Sequence, residues 1–160
     1  MSFPATSNTP HHFLSQLVGN WKGTSKLWLE PGKLADESPV IGSIQLVLDG
    51  RFVLYLHQGS VEGEPQHGMF TFGYNTTSDQ YEASWVDSFH NNTAIMFCTG
   101  KAKENGFYVV GSYPDPIGGP DWGWRTEVEV TDEGLTITAY NISPEGGEAK
   151  ATETKLSRIQ

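Results

Sequence analysis

The stretch WVDSFHNN, residues 85–92, sets a carboxylate two residues after a tryptophan and an imidazole three residues further on. In extended chain, Trp85 and Asp87 share one side, so the acid stands among rings. A carboxylate in such surroundings either orients a ligand or works as a general acid or base, with His90 as its helper. The plainer expectation is local: an Asp before a turn accepts hydrogen bonds from the amides that follow it.

Other reactive side chains are scattered. His57 and His67 would form a cross-strand pair able to share a metal, but no third ligand type stands beside them, and no metal is expected. His11 and His12 fall in a first helical turn and are expected to be solvated. Cys98 is the single cysteine, so no intrachain disulfide can form and it reads as a small buried hydrophobe. No G-x-S-x-G, P-loop, dinucleotide glycine pattern or H-E-x-x-H occurs, and no cofactor is implied.

The elements that must carry these residues read mostly as strands. Thr9 and Pro10 begin a short amphipathic helix over 10–18, with Phe13/Leu17 and Leu14/Val18 as apolar pairs four apart. From Trp21 onward about ten β-branched and aromatic runs alternate with Gly, Pro, Asn and Asp clusters. They fall near 20–30, 40–48, 51–59, 66–74, 80–88, 93–100, 106–113, 122–131, 134–142 and 148–158. Segments 31–39 and 114–121 are expected to be irregular. Short connections imply an antiparallel meander, and closure into an up-and-down β-barrel removes its two edges.

Register can be read from the turns. Carried across the turn in SVEGEP (60–65), the strand period is expected to set Phe52, Leu54 and Leu56 opposite Phe72, Phe70 and Gly68. Those in turn face Ala83, Trp85 and Asp87. At the other end of the chain, Trp124, Thr126, Val128 and Val130 align with Leu135, Ile137, Ala139 and Asn141, then with Thr152, Thr154 and Leu156. The opposite parity carries Arg125, Glu127, Glu129, Glu153 and Lys155, which belong in water. The lining is thus aromatic in the first half and threonine-rich in the second. Buried hydroxyls and amides need partners, which either a rim in contact with solvent or a wet interior cavity provides. The loop YPDPIGGPDWGW (113–124) reads either as a lid carrying Trp122 and Trp124 or as a rigid plug.

The 160 residues, 37% of them apolar, suit one domain over 1–160, with 1–9 expected to be flexible. A net charge of −9 disfavours nucleic acid and anionic membranes as partners. No apolar run approaches a membrane span and no leader pattern opens the chain, so a soluble, cytoplasmic protein is the expectation. Three functions fit. The first is a barrel binding a small hydrophobic or amphipathic molecule, with Phe70, Phe72, Trp85 and Trp124 as contact area and Asp87, Thr126 and Asn141 as directional groups. The second is an enzyme using Asp87 with His90 on the same ligand. The third is a filled barrel acting through an outer patch of Val53, Tyr55, Met69 and Val86, by which it could form a homodimer.

LVGNWKGTSKLW, DGRFVLY, GMFTFGYNTTSDQYEASWVDS (68–88) and ATETKLSR together resemble the bacterial proteins catalogued as domain of unknown function 1579. The Gly19-x-Trp21 start is similar to the first strand of calycins such as lipocalins, fatty-acid-binding proteins and nitrobindins. The resemblance spans about Phe13 to Arg158 and implies a ten-stranded calycin-like barrel preceded by a short helix. It further implies that Trp21 packs across a closed end with Arg158 lying over it. Nitrobindin-like barrels hold haem through a late histidine; this sequence has none after His90, so that mode does not carry over.

Overall fold

Thr9 opens the helix α1 (Pro10–Gln16): its hydroxyl accepts the His12 amide at 3.1 Å, and Pro10, which lacks a donor to satisfy, occupies the first turn. The computed structural model describes residues 9–160, so the flexible stretch expected over 1–9 lies, apart from Thr9, outside the described residues. Ten strands follow: β1 (Gly19–Glu30), β2 (Lys33–Val47), β3 (Phe52–Val61), β4 (Glu64–Asn75), β5 (Gln80–Asp87), β6 (Met96–Lys103), β7 (Gly106–Tyr113), β8 (Trp122–Thr131), β9 (Gly134–Ile142) and β10 (Glu148–Arg158). Each pairs antiparallel with the next, and β10 pairs with β1, so the sheet closes on itself as an all-β up-and-down barrel. No helix among the described residues is long and apolar enough to cross a membrane.

The alternation anticipated for β5 holds throughout: Tyr81, Ala83, Trp85 and Asp87 are buried and the residues between them are not. The expected pairings Phe72–Ala83, Phe70–Trp85 and Gly68–Asp87 are observed, as are all those anticipated among β8, β9 and β10.

Strand β3 departs from expectation by one residue. Val53 pairs with Phe72, Tyr55 with Phe70 and His57 with Gly68, because β3 and β4 are joined by a two-residue turn in which Glu62 and Gly63 both have positive φ (50° and 85°). A slip of one residue exchanges the two faces of a strand. Val53 and Tyr55 therefore lie in the core, 0% and 2% exposed, and drop out of the proposed outer patch, whereas Phe52 and Leu56 face outward. Met69 remains on the outer face, paired with Leu56 on one side and Val86 on the other. The His57–His67 pair does not form, since His57 points inward and His67 pairs with Gln58. Among the described residues no three His, Cys, Asp or Glu side chains converge as metal ligands.

The second departure is β2, which begins at Lys33 rather than near 40. Residues Leu34 and Asp36 to Ser38 continue the long hairpin with β1 across an irregularity at Trp28. Their mixed polarity hid the strand period, because one side of this hairpin arm is exposed.

One end of the barrel is sealed by α1. Leu14 and Leu17 are buried beneath it, and Phe13 meets Phe107 edge to face. Trp21 donates its indole N–H to the Leu17 carbonyl at 3.0 Å, and the Arg158 guanidinium lies 4.4 Å over the same indole. Arg158 also donates to the carbonyls of Val18 and Gln16, tying the last strand to the end of the helix. Gly19 is required there: its φ is +151°, and a Cβ would stand 2.5 Å from the guanidinium. The Gly-x-Trp spacing thus has a local cause.

Candidate functional site

The connections that follow β1, β3, β5, β7 and β9 all emerge at the end opposite the helix, and there the barrel is open. A cleft of about 990 Å³ occupies this mouth, walled by Trp28, Ile95, Met96, Tyr113, Trp122 and Trp124. Behind it lies a second cavity of about 80 Å³, bordered by His57, Asp87, Thr126 and Thr154. Trp85, His90 and Trp124 line both, so these three rings form the partition between them.

The partition belongs to a stack. Phe72, Phe70, Trp85 and Trp124 lie nearly parallel, with successive centroids 4.9, 5.5 and 5.2 Å apart. Alternation on β4 places the two phenylalanines on one face, the Phe70–Trp85 pairing carries the stack to β5, and Trp124 reaches in from β8. His90 closes the third side, its ring 5.7 Å from Trp85 and 5.2 Å from Trp124. Phe70 and Trp85 each stack against two neighbouring rings.

Asp87 ends β5 with both oxygens engaged. Oδ1 accepts the amides of Phe89 (2.7 Å) and His90 (2.8 Å), and Oδ2 accepts the Gln66 side-chain amide at 2.7 Å. His90 Nδ1 stands 3.4 Å from Oδ1, an ion-pair distance when the ring is protonated. Burial works to raise the acid's pKa, yet these donors together hold it below the ordinary value. Asp87 is therefore an ionised turn-capping group, poorly suited to donate a proton.

His57, missed by sequence reading, is the unexpected occupant of the inner cavity. Its ring packs against Tyr55 and Phe70 and lies over Gly68, where a Cβ would come within 2.2 Å of Nε2. Glycine at 68 makes room for it. Burial lowers the pKa of His57, opposed by the charge of Asp87 and assisted by His67 and His90, so the ring is held neutral. The one-residue shift in β3 hid it.

Several polar groups of the interior are satisfied locally. Ser25 and Thr154 share a hydrogen bond at 3.0 Å, and Ser38 donates to the Ser60 carbonyl. Others are not: Trp85 Nε1, Trp124 Nε1, His90 Nδ1 and Thr126 Oγ1 are buried with no hydrogen-bond partner among the described residues. Such atoms are uncommon and costly.

Of the residues singled out from sequence, Trp85, Trp124 and His90 meet at the partition, and Phe70, Asp87 and Thr126 border the inner cavity. Asn141 lies in the cleft, where Tyr113 donates to its side-chain oxygen. Phe72 stands deeper, against Phe107, and touches neither cavity. The loop 114–121 is exposed, and both tryptophans placed on it belong instead to β8. Cys98 is buried, which pushes its thiol up to about 11 and makes it a packing group.

A family model described as "Protein of unknown function (DUF1579)" matches residues 6–158. No curated protein matches the chain. Among solved structures, the crystal structure of Rv2717c from M. tuberculosis is similar over 100% of both chains, with a TM-score of 0.62 and 13% identity. At that identity the likeness speaks for the fold alone.

Proposed function

This chain belongs to the DUF1579 family of proteins of unknown function, which supplies a fold but no chemistry, and we propose from its geometry that it is a binding protein for a small, mostly apolar molecule. The observation that carries this reading is the aromatic-walled cleft at the open end, whose volume of about 990 Å³ is at the upper end of the usual range for small-molecule sites. Its wall is mostly apolar, with polar groups such as Asn141, Ser112, Glu30, Glu148 and Lys150 set around it. A calycin-type barrel, as the Gly19-x-Trp21 start suggests, places its ligand at the same kind of open mouth.

A neutral fluorescent probe, N-phenyl-1-naphthylamine, should bind with one-to-one stoichiometry. Trp122→Ala removes one wall of the cleft and should weaken it by about tenfold, the scale of one buried aromatic contact. Native mass spectrometry of freshly purified protein should show a co-purifying mass that this variant loses. Unchanged probe affinity would place the seat elsewhere.

A second reading retains the seat and adds chemistry. The Asp87 carboxylate faces His90 Nδ1, the pairing by which an acid orients an imidazole for proton transfer. Here His90 is the acid-base group and Asp87 its partner. His90→Gln should then abolish turnover of an identified substrate while leaving its affinity within about twofold; an unaltered rate removes this reading.

A further inference from the structure

We infer that the ligand of this barrel is uncharged and carries an oxygen acceptor, a ketone, amide or alcohol, which it seats at the partition against Trp85, Trp124 and Thr126 while its apolar body fills the mouth. The inference rests on the binding function proposed above and names the chemistry that function selects.

Three independent features point the same way. The first is the set of buried atoms without partners. Of the four in the interior, two are indole N–H groups, which can only donate, and one is the Thr126 hydroxyl, which can do either, while His90 Nδ1 faces Asp87 at 3.4 Å. Trp85, Trp124 and Thr126 all border the inner cavity, so the unpartnered donors belong to its wall. An oxygen lone pair is the complement of this set; an alkane leaves every one of them unpaired.

The second feature excludes anions. No lysine or arginine lines the inner cavity, while Asp87 borders it in ionised form. In the cleft the single cation, Lys150, is bound to Glu153 at 2.8 Å and lies over the outer ring of Trp28. A carboxylate or phosphate brought to the partition would meet like charge with no lysine or arginine to neutralise it.

The third disfavours cations, which an acidic protein would otherwise attract. Cation binding by aromatic residues uses ring faces. Here Phe70 stacks against both Phe72 and Trp85, and Trp85 against both Phe70 and Trp124, so the faces of these two rings are engaged by neighbouring rings and not free for a cation. Asp87 has already committed both oxygens to Phe89, His90 and Gln66.

The test compares three probes of one chain length, 2-decanone, decanoate and decyltrimethylammonium, by titration calorimetry at pH 7.5. The ketone should bind at least tenfold tighter than either ion. Trp124→Phe, which retains a ring but no donor, and Thr126→Val, which keeps the shape and removes the hydroxyl, should each weaken the ketone about fivefold and leave the ions unchanged. Melting curves confirm that each variant is folded. Tighter binding of either ion, or two folded variants that hold the ketone as well as the parent does, overturns the head-group assignment while the binding function stands. Failure of all three probes and of N-phenyl-1-naphthylamine overturns both.

Discussion

Asp87 and His57 show how a side chain's role follows from its immediate partners. Asp87 sits beside rings, but three donors around it make it a fixed anion that organises the turn after β5. Asp87→Ala should cost about 2–4 kcal/mol, the scale of losing several hydrogen bonds to one charge, read as a drop in unfolding midpoint. Both residues have pKa values below their ordinary ones, 3.8 for Asp87 and 6.5 for His57. In each case the unfolded chain binds the proton more readily, so stability rises with pH across the interval between the two values. The share due to His57 is complete above pH 6.5 and is lost as the pH falls from there through the lowered value. That due to Asp87 is complete above 3.8 and is lost below it in the same manner. His57→Gln should flatten the upper part of the acid limb in a plot of melting temperature against pH, and Asp87→Asn the lower part.

At the scale of elements, β3 offers the sharpest check, because one residue of register decides which side chains are inside. Tyr55→Lys buries a charge among rings and should cost more than about 3 kcal/mol, whereas Leu56→Lys, on the exposed face, should stay within about 1 kcal/mol. The opposite order would restore the register first inferred. That inference failed at a particular place. Glu62 occupies a left-handed turn position usually signalled by Asn, Asp or Gly; centring the turn on Glu62 alone, rather than between Glu62 and Gly63 as the Ser60–Pro65 pairing requires, shifts every partner by one. Where the pattern was unambiguous, as from Tyr81 to Asp87 or in the Thr and Glu alternation of β8 to β10, the faces were legible. Trp85, Trp124 and Thr126 were therefore found from sequence. His57 was not, and neither was the partition, since no local period reports that β5 and β8 meet across an interior.

For the whole molecule, charge and function are segregated. The outer wall of β6 and of β8 to β10 carries ion pairs, Arg125 with Glu148 and Lys103 with Glu127 and Glu129, while the interior holds rings, hydroxyls and, among the described residues, the single buried carboxylate Asp87. Closure depends on residues at opposite ends of the sequence. Arg158→Ala removes the cation over Trp21 and two donors to the helix end, and should cost about 2–3 kcal/mol. Gly19→Ala should cost at least as much, since it combines an unfavourable φ with a clash against that guanidinium. Because β1 finds its second neighbour only in β10, a chain growing on a ribosome must wait for that strand before the circle can be completed. Until then two open strand margins are available to other nascent chains, which makes crowded synthesis the period when this protein is most exposed to misassembly.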